Sequence, residues 1–553
     1  MKQVIYQVLP RFFGRYKTGN VPNGSIMQNG CGKFNDFDDR VLQQIRDLGA
    51  THVWFTGIIR HATQTDYSRY GIPRQHPDIV KGRAGSPYAI ADYYDVDPDL
   101  AVDVSRRMDE WMALVNRTHR VGLKVIIDFV PNHVARQYHS IAKPEGVKDL
   151  GEGDNTDYHF STGNNFYYCW QQPLDLSGIP AEKDDERYQE MPAKATGNDH
   201  FDNHPSRNDW YETVKLNYGI DYCDAGGRSV HFNPIPDTWS KMTDILLFWA
   251  QKGVDAFRCD MAEMVPTAFW HWAVDKVKYI HPDIQFIGEV YNPSLYRDYL
   301  NAGFDLLYDK VGMYDCLRAV ICHQRNAADI TQAWQATDDI RDHMLYFLEN
   351  HDEQRIASDF FAVDAKKALP ALVVATLLQR NAFMVYAGQE YGEKGMNQEG
   401  FSGHDGRTTI FDYWTLDTIQ RGFFDRRRLH KEERMLEKSY RKVLSQLICE
   451  NAVHSGQTFD LMYVNPQLSQ RQFAFLRKAA TDILLVVANF DDKDVSVDVN
   501  IPQHAFDFLA IPQRNFKAND LLSEESLSGK LSAAEPITML IPAYGARVWK
   551  IKL

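Results

Sequence analysis

The chain has 553 residues, too many for one ordinary domain, so two or three domains are expected, one of them large enough to be a barrel. Hydrophobic residues at 44% and charged residues at 24% describe a globular protein, and a net charge of -13 argues against a nucleic-acid or anionic-membrane surface, since both select basic patches. Seven cysteines, an odd number without a CxxC pair, read as reduced thiols and argue against a disulfide framework or a zinc knuckle.

The start, "MKQVIYQVLPRFF", has no long apolar h-region and no small-residue cleavage site. It reads as a first strand, and the chain is expected to be unsecreted and cytoplasmic. No run of 18 or more apolar residues is present, so no membrane span is expected. Short apolar runs then recur: Val4 to Pro10, His52 to Gly57, Lys124 to His133 and Val254 to Asp260. They continue with Gln285 to Val290, Phe304 to Asp309, Met344 to Asp352 and Ala382 to Glu390. Near-continuous apolar runs of this length suit parallel strands buried on both faces. Stretches such as "FDDRVLQQIRDLG" and "TWSKMTDILLFWAQKG" between them carry apolar residues near 3.6 spacing and end on glycine, as helices do. Eight such units predict a (β/α)8 TIM barrel, whose active site is built at the C-terminal ends of its strands.

One connection breaks the rhythm. About 120 residues separate the third and fourth runs, far beyond an ordinary barrel loop. That stretch is rich in Gly, Asn, Asp and aromatics and reads as an irregular domain inserted over the barrel mouth. After about residue 455 the pattern turns β-rich, as in "DILLVVANF" and "ITMLIPAYGARVWKIKL", and predicts a C-terminal antiparallel β-sandwich. The expected division is a barrel over 1–133 and 218–454, an inserted domain over 134–217 and a C-terminal domain over 455–553.

The predicted strand ends carry Asp128, Asn132, His133, Arg258, Asp260, Glu289, His351 and Asp352. Three carboxylates, Asp260, Glu289 and Asp352, end three separate strands. Two carboxylates serve glycoside cleavage as nucleophile and general acid, and a third stabilises a cationic, oxocarbenium-like transition state. Arg258 stands two residues before Asp260 and so shares its face of the strand, where a cation keeps a carboxylate nucleophile ionised. His133 and His351 suit hydrogen bonds to sugar hydroxyls as neutral imidazoles. The bland alternative is a set of ion pairs at a barrel rim.

The motifs resemble those of the α-amylase superfamily of glycoside hydrolases and transglycosylases. "DFVPNH" (128–133), "GVDAFRCD" (253–260), "FIGEVY" (286–291) and "FLENHD" (347–352) are similar to its four signatures. "GSPYAIADYYDVDP" (85–98) and "MVYAGQE" (384–390) are similar to its flanking motifs. The resemblance implies Asp260 as nucleophile, Glu289 as acid/base and Asp352 as transition-state stabiliser. It implies Arg258, His133 and His351 as sugar-site residues, Tyr88 as the aromatic platform under the sugar ring and Asp128 as a supporting carboxylate. It implies an α-glucan or maltooligosaccharide substrate, and no required cofactor is expected; the acidic charge and the lack of long apolar runs predict no nucleic-acid or membrane partner. Calcium is admitted, with Asn132 as a candidate ligand.

The chain also departs from the family. Glu263 and Met264 follow the nucleophile where the family often has Lys or His and then His. Glu263 is therefore expected on the leaving-group side, tuning acceptor choice, the alternative being a solvated rim residue or an ion-pair partner of a nearby Lys or Arg. "VKLNYG" (214–219) has Lys215 where an Asp is usual. The aromatic cluster Phe166, Tyr167, Tyr168 and Trp170 reads as core of the inserted domain rather than a carbohydrate platform, and Glu390 reads as structural. The expected activity is that of a retaining hydrolase. The rivals are a transglycosylase with the same chemistry and a non-catalytic binding protein of the same fold.

Overall fold

The computed structural model describes residues 2–14, 19–181, 187–398, 401 and 403–553. Eight parallel strands close into a barrel: β1 Val4–Val8, β2 His52–Phe55, β3 Lys124–Phe129, β4 Ala256–Cys259, β5 Gln285–Gly288, β6 Leu306–Tyr308, β7 Met344–Phe347 and β8 Ala382–Tyr386. Each strand pairs with its sequence neighbours, and β8 closes on β1. Every predicted run supplies one strand.

Alternation sorts the side chains. Ile5, Trp54, Ile126, Ala256, Ile287, Leu306, Leu345 and Met384 point inward and fill the barrel interior as one packed cluster. The residues that alternate with them face the surrounding helices. Helix Asp39–Leu48 shows how those helices are specified. Asp38 caps its start by accepting from the Val41 N–H at 2.8 Å, Gly49 ends it at φ +116°, and Val41, Leu42, Ile45 and Leu48 form its buried stripe.

Between β3 and β4 the chain makes short two-stranded ladders instead of a simple crossover helix. The largest pairs His133–Ala135 with Thr213–Lys215, which returns the excursion to the end of β3. Helix Asp237–Gln251 then leads into β4. Phe166, Tyr167 and Tyr168 are buried in this region, whereas Trp170 is exposed, so three of the four clustered aromatics are core. The C-terminal part holds a six-stranded antiparallel sheet, 457–552, with a separate ribbon pairing Val495–Val499 and Ile537–Ile541. Arg477 fastens this sheet to the barrel. Buried on its strand, it donates to the carbonyls of Ala452 at 2.9 Å and Leu378 at 3.0 Å, both in the helical layer. Among the described residues no helix is long and apolar enough to cross a membrane.

A second device aims the loop before strand Ile90–Val96. Gly85 sits at φ +76°, and a Cβ there would lie 1.7 Å from the Ala62 carbonyl oxygen. Only glycine allows both the left-handed backbone and this close approach, and Tyr88 follows three residues later. Gly85→Ala is expected to cost ~2–4 kcal/mol through left-handed strain and forced displacement. A lowered Tm by calorimetry checks this.

Candidate active site

Strand register assembles the site. β3 and β4 set Asp128 opposite Arg258, and β4 and β5 set Cys259 opposite Gly288. The next residue on each of the latter strands is a carboxylate, so Asp260 and Glu289 emerge side by side. Ala256 belongs to the barrel interior, and Arg258, two residues on, faces the same axis.

Arg258 is fully buried and holds three carboxylates together. Its Nη1 lies 2.8 Å from Asp260 Oδ1 and 3.4 Å from Asp128 Oδ1, and its Nη2 lies 2.7 Å from Glu289 Oε2. The rings of Trp54, Tyr88 and Tyr308 surround the guanidinium at 5.1, 5.3 and 5.7 Å. They exclude water, which strengthens every charge interaction inside. One cation cannot neutralise three carboxylates. Burial therefore pushes the Asp260 carboxyl well above its ordinary range, Arg258 opposes the shift, and Glu289 and Asp128 add to it. Burial also pushes Asp128 up to about 6, against Arg258 and hydrogen bonds from the Trp54 indole at 3.1 Å and the Gly57 N–H at 3.2 Å.

Glu289 is held from several sides. Besides Arg258, the Met261 N–H donates to Oε2 at 2.8 Å and the Tyr291 hydroxyl donates to Oε1 at 2.7 Å. Met261 adopts a left-handed backbone, φ 43°, directly after Asp260. This left-handed turn is what aims the Met261 N–H at Glu289. Glu263 does not face the cleft as a free carboxylate: its Oε2 accepts the N–H groups of Tyr291 at 3.1 Å and Asn292 at 3.0 Å. It fastens the turn that carries Tyr291.

Across the mouth, Asp352 is partly exposed, with Oδ2 3.1 Å from His351 Nε2. Partial burial raises its carboxyl, opposed by Arg258 and Arg407, and Arg407 also donates to the Asp352 carbonyl at 2.6 Å. The Gln7 amide meets His351 Nδ1 at 2.7 Å, and the Tyr88 hydroxyl meets Nε2 at 2.5 Å. With Gln7 donating, Nδ1 is the acceptor and Nε2 carries the proton, which the Tyr88 hydroxyl oxygen accepts. Burial lowers His351 to about 3 and His133 to about 3, so both rings are neutral. His133 hydrogen-bonds the backbone of Tyr88, and its ring centroid lies 5.1 Å from that of Trp210.

The fold thus gathers Asp128, Arg258, Asp260, Glu289, His351, Asp352 and Tyr88 into one connected cluster, with His133 at its edge. Glu390 stands apart, bonded to the Tyr6 hydroxyl at 2.7 Å and to the Gly388 N–H at 3.0 Å. Asn132 is engaged otherwise than expected. Its Oδ1 accepts from the Lys215 ammonium, and its Nδ2 donates to the Gly197 carbonyl at 2.8 Å. That ammonium sits on the oxygen a calcium ion would use, so the residues here do not fit calcium. Among the described residues no cluster of three or more His, Cys, Asp or Glu could hold a metal.

Sequence reasoning misses Gln7, Trp54, Tyr291 and Tyr308. A signal for Gln7 exists: it is a polar residue inside a wholly buried strand, two residues after inward-facing Ile5.

Comparisons with known proteins agree with this geometry. The family model described as alpha amylase, catalytic domain, matches residues 7–450. Neopullulanase 2 of Thermoactinomyces vulgaris is 22% identical over 71% of this chain and 57% of its own length. A cyclomaltodextrinase of a Bacillus species is 22% identical over 88% of this chain and 72% of its own. Against the neopullulanase, and against the α-amylase MalA of Haloarcula japonica, of which 42% is covered, the chain spans only about half of the relative. The α-amylase from Geobacillus thermoleovorans, solved with acarbose, has a TM-score of 0.66 at 18% identity, covering 100% of this chain and 98% of its own. A maltogenic α-amylase from Thermotoga neapolitana has a TM-score of 0.63 at 18% identity, covering 100% and 99%.

The raised Asp260 carboxyl has a cost in stability. A carboxyl whose folded pKa exceeds its unfolded one binds its proton more tightly when folded. Ionising it therefore destabilises the fold as pH rises from the ordinary Asp value toward the folded one, and the penalty persists above. Asp260→Asn is expected to raise Tm by ~1–3 °C at neutral pH. The gain should vanish below about pH 4, where Asp is protonated in both states. Paired calorimetric scans at the two pH values check it.

Proposed function

The chain belongs to the α-amylase family, and on that basis we propose that it is a retaining glycoside hydrolase of α-glucans and maltooligosaccharides. The observation that carries this reading is the single guanidinium of Arg258 in contact with both Asp260 and Glu289. That shared cation anchors both carboxylates at the mouth of the barrel, where one can attack an anomeric carbon as the other protonates the leaving oxygen.

In the proposed reaction Asp260 is the nucleophile. It attacks the anomeric carbon as Glu289 gives its proton to the departing glycosidic oxygen, forming a glycosyl ester on Asp260. Glu289, now ionised, takes a proton from water as that water opens the ester. Two displacements restore the original configuration. Asp352, whose charge is felt by Asp260, stabilises the positive charge that develops on the ring. Tyr88 offers an aromatic face to the sugar, while neutral His133 and His351 exchange hydrogen bonds with its hydroxyls. Asp128 supports the site through Arg258 and Trp54. Within the same reading the enzyme works in the cytoplasm, where its seven unpaired cysteines stay reduced.

Digestion of maltoheptaose, followed by chromatography, tests the reaction. Only shorter products are expected, with the α-anomer first by proton NMR. Products longer than the substrate would identify a transglycosylase, and a β-anomer released first would rule out the double displacement. Glu289→Gln should slow maltooligosaccharide cleavage by ~10²–10⁴-fold and activated aryl glycosides far less, because a good leaving group needs little protonation. Equal losses on both substrates would remove Glu289 from the acid role.

A further inference from the structure

Lys215 ends the strand Thr213–Lys215, directly opposite His133 in the ladder that closes the excursion from the barrel. Its side chain is only 2% exposed. A lysine ammonium is rarely buried without oxygens around it. Here the oxygens come from three distant segments. Asn132 Oδ1 stands just beyond β3, and Asp199 Oδ1 lies 2.7 Å away in the loop before the strand. The Met264 carbonyl, in the turn that follows Asp260, is 3.5 Å away. The Tyr222 ring covers the ammonium at 5.9 Å.

The joint pairs one buried cation with one carboxylate, with Arg228 a second cation nearby. One ammonium faces one carboxylate and two neutral oxygens. A calcium ion takes six to eight oxygens, commonly including several carboxylates. It would meet one carboxylate here and a lysine already seated on the shared acceptor. Asp199 holds a left-handed backbone, φ 61°, as it presents its carboxylate to the ammonium, so the loop is shaped around the lysine.

We propose that the Lys215 ammonium is the permanent cation of this joint, clamping the excursion between β3 and β4 onto the barrel mouth in place of a divalent metal. This joint then needs no calcium. The proposal does not rest on the reaction assigned above, because its readout is unfolding.

The test uses the full chain. Wild-type protein is scanned by calorimetry as purified, after treatment with EDTA, and after calcium chloride is returned. The three Tm values are expected to agree within ~1 °C, since a ligand bound only by the folded state raises Tm by mass action. A Tm that falls with EDTA and recovers with calcium would overturn the proposal, as would about one tightly held calcium per chain by mass spectrometry, the stoichiometry of a single bound-metal site. Lys215→Met keeps the aliphatic stem and removes the charge, leaving Asp199 and Asn132 without their cation. Its Tm should fall by ~5 °C or more, and an unchanged Tm would also overturn the proposal. If that variant does not fold, the wild-type scans and the metal content still decide.

Discussion

The structure turns on one buried charge. A guanidinium at the axis of a closed barrel is tolerable only if carboxylates compensate it, and Arg258 has three. Each comes from a strand end beside it, on β3, β4 or β5, so the ion cluster and the sheet register specify one another. A one-residue slip of β4 would turn Arg258 into the apolar layer between strands and helices and leave Asp128 and Glu289 without a cation. The aromatic wall of Trp54, Tyr88 and Tyr308 follows from the same need, since it shields the charges from water and makes their attraction strong.

The cluster is over-supplied with negative charge, and the rest of the site manages the excess. Glu289 takes a main-chain N–H and a phenol as well as the guanidinium. Asp128 takes an indole and a main-chain N–H. Asp260 has the least relief and carries a strongly raised carboxyl. The uncompensated charge is thus concentrated on Asp260. Without the cation beside it, the Asp260 carboxyl would be pushed higher still. The histidines sit outside this balance as neutral rings and respond to hydroxyls without altering the charge.

The barrel is legible in the sequence because its information is local. Eight apolar runs end in polar residues, and the two-residue period of a strand is enough to place Arg258 and Asp260 on one face. The carboxylates can be named because they sit at those ends. What escapes depends on tertiary geometry. Gln7 is one amide in an apolar strand, and its meaning appears only when β1 lies near His351. Tyr291 is two residues past Glu289, yet its hydroxyl folds back because Glu263 pins the intervening turn. Spacing alone points Glu263 at the cleft, but two main-chain N–H groups claim its carboxylate. Position alone makes Asn132 a candidate metal ligand, yet its partner Lys215 lies 83 residues away in sequence, beyond any local pattern.

Met261 carries a different lesson. What it contributes to the cluster is a main-chain N–H, aimed at Glu289 by a left-handed turn. Main-chain groups survive substitution. The side chain at this position is therefore free to drift, or to be chosen for what lies above it in the cleft, while the hydrogen bond stays. Glycine would even relieve the backbone. A substitution survey that scores side chains would pass over this position, although the carboxylate beside it depends on the direction of one peptide plane.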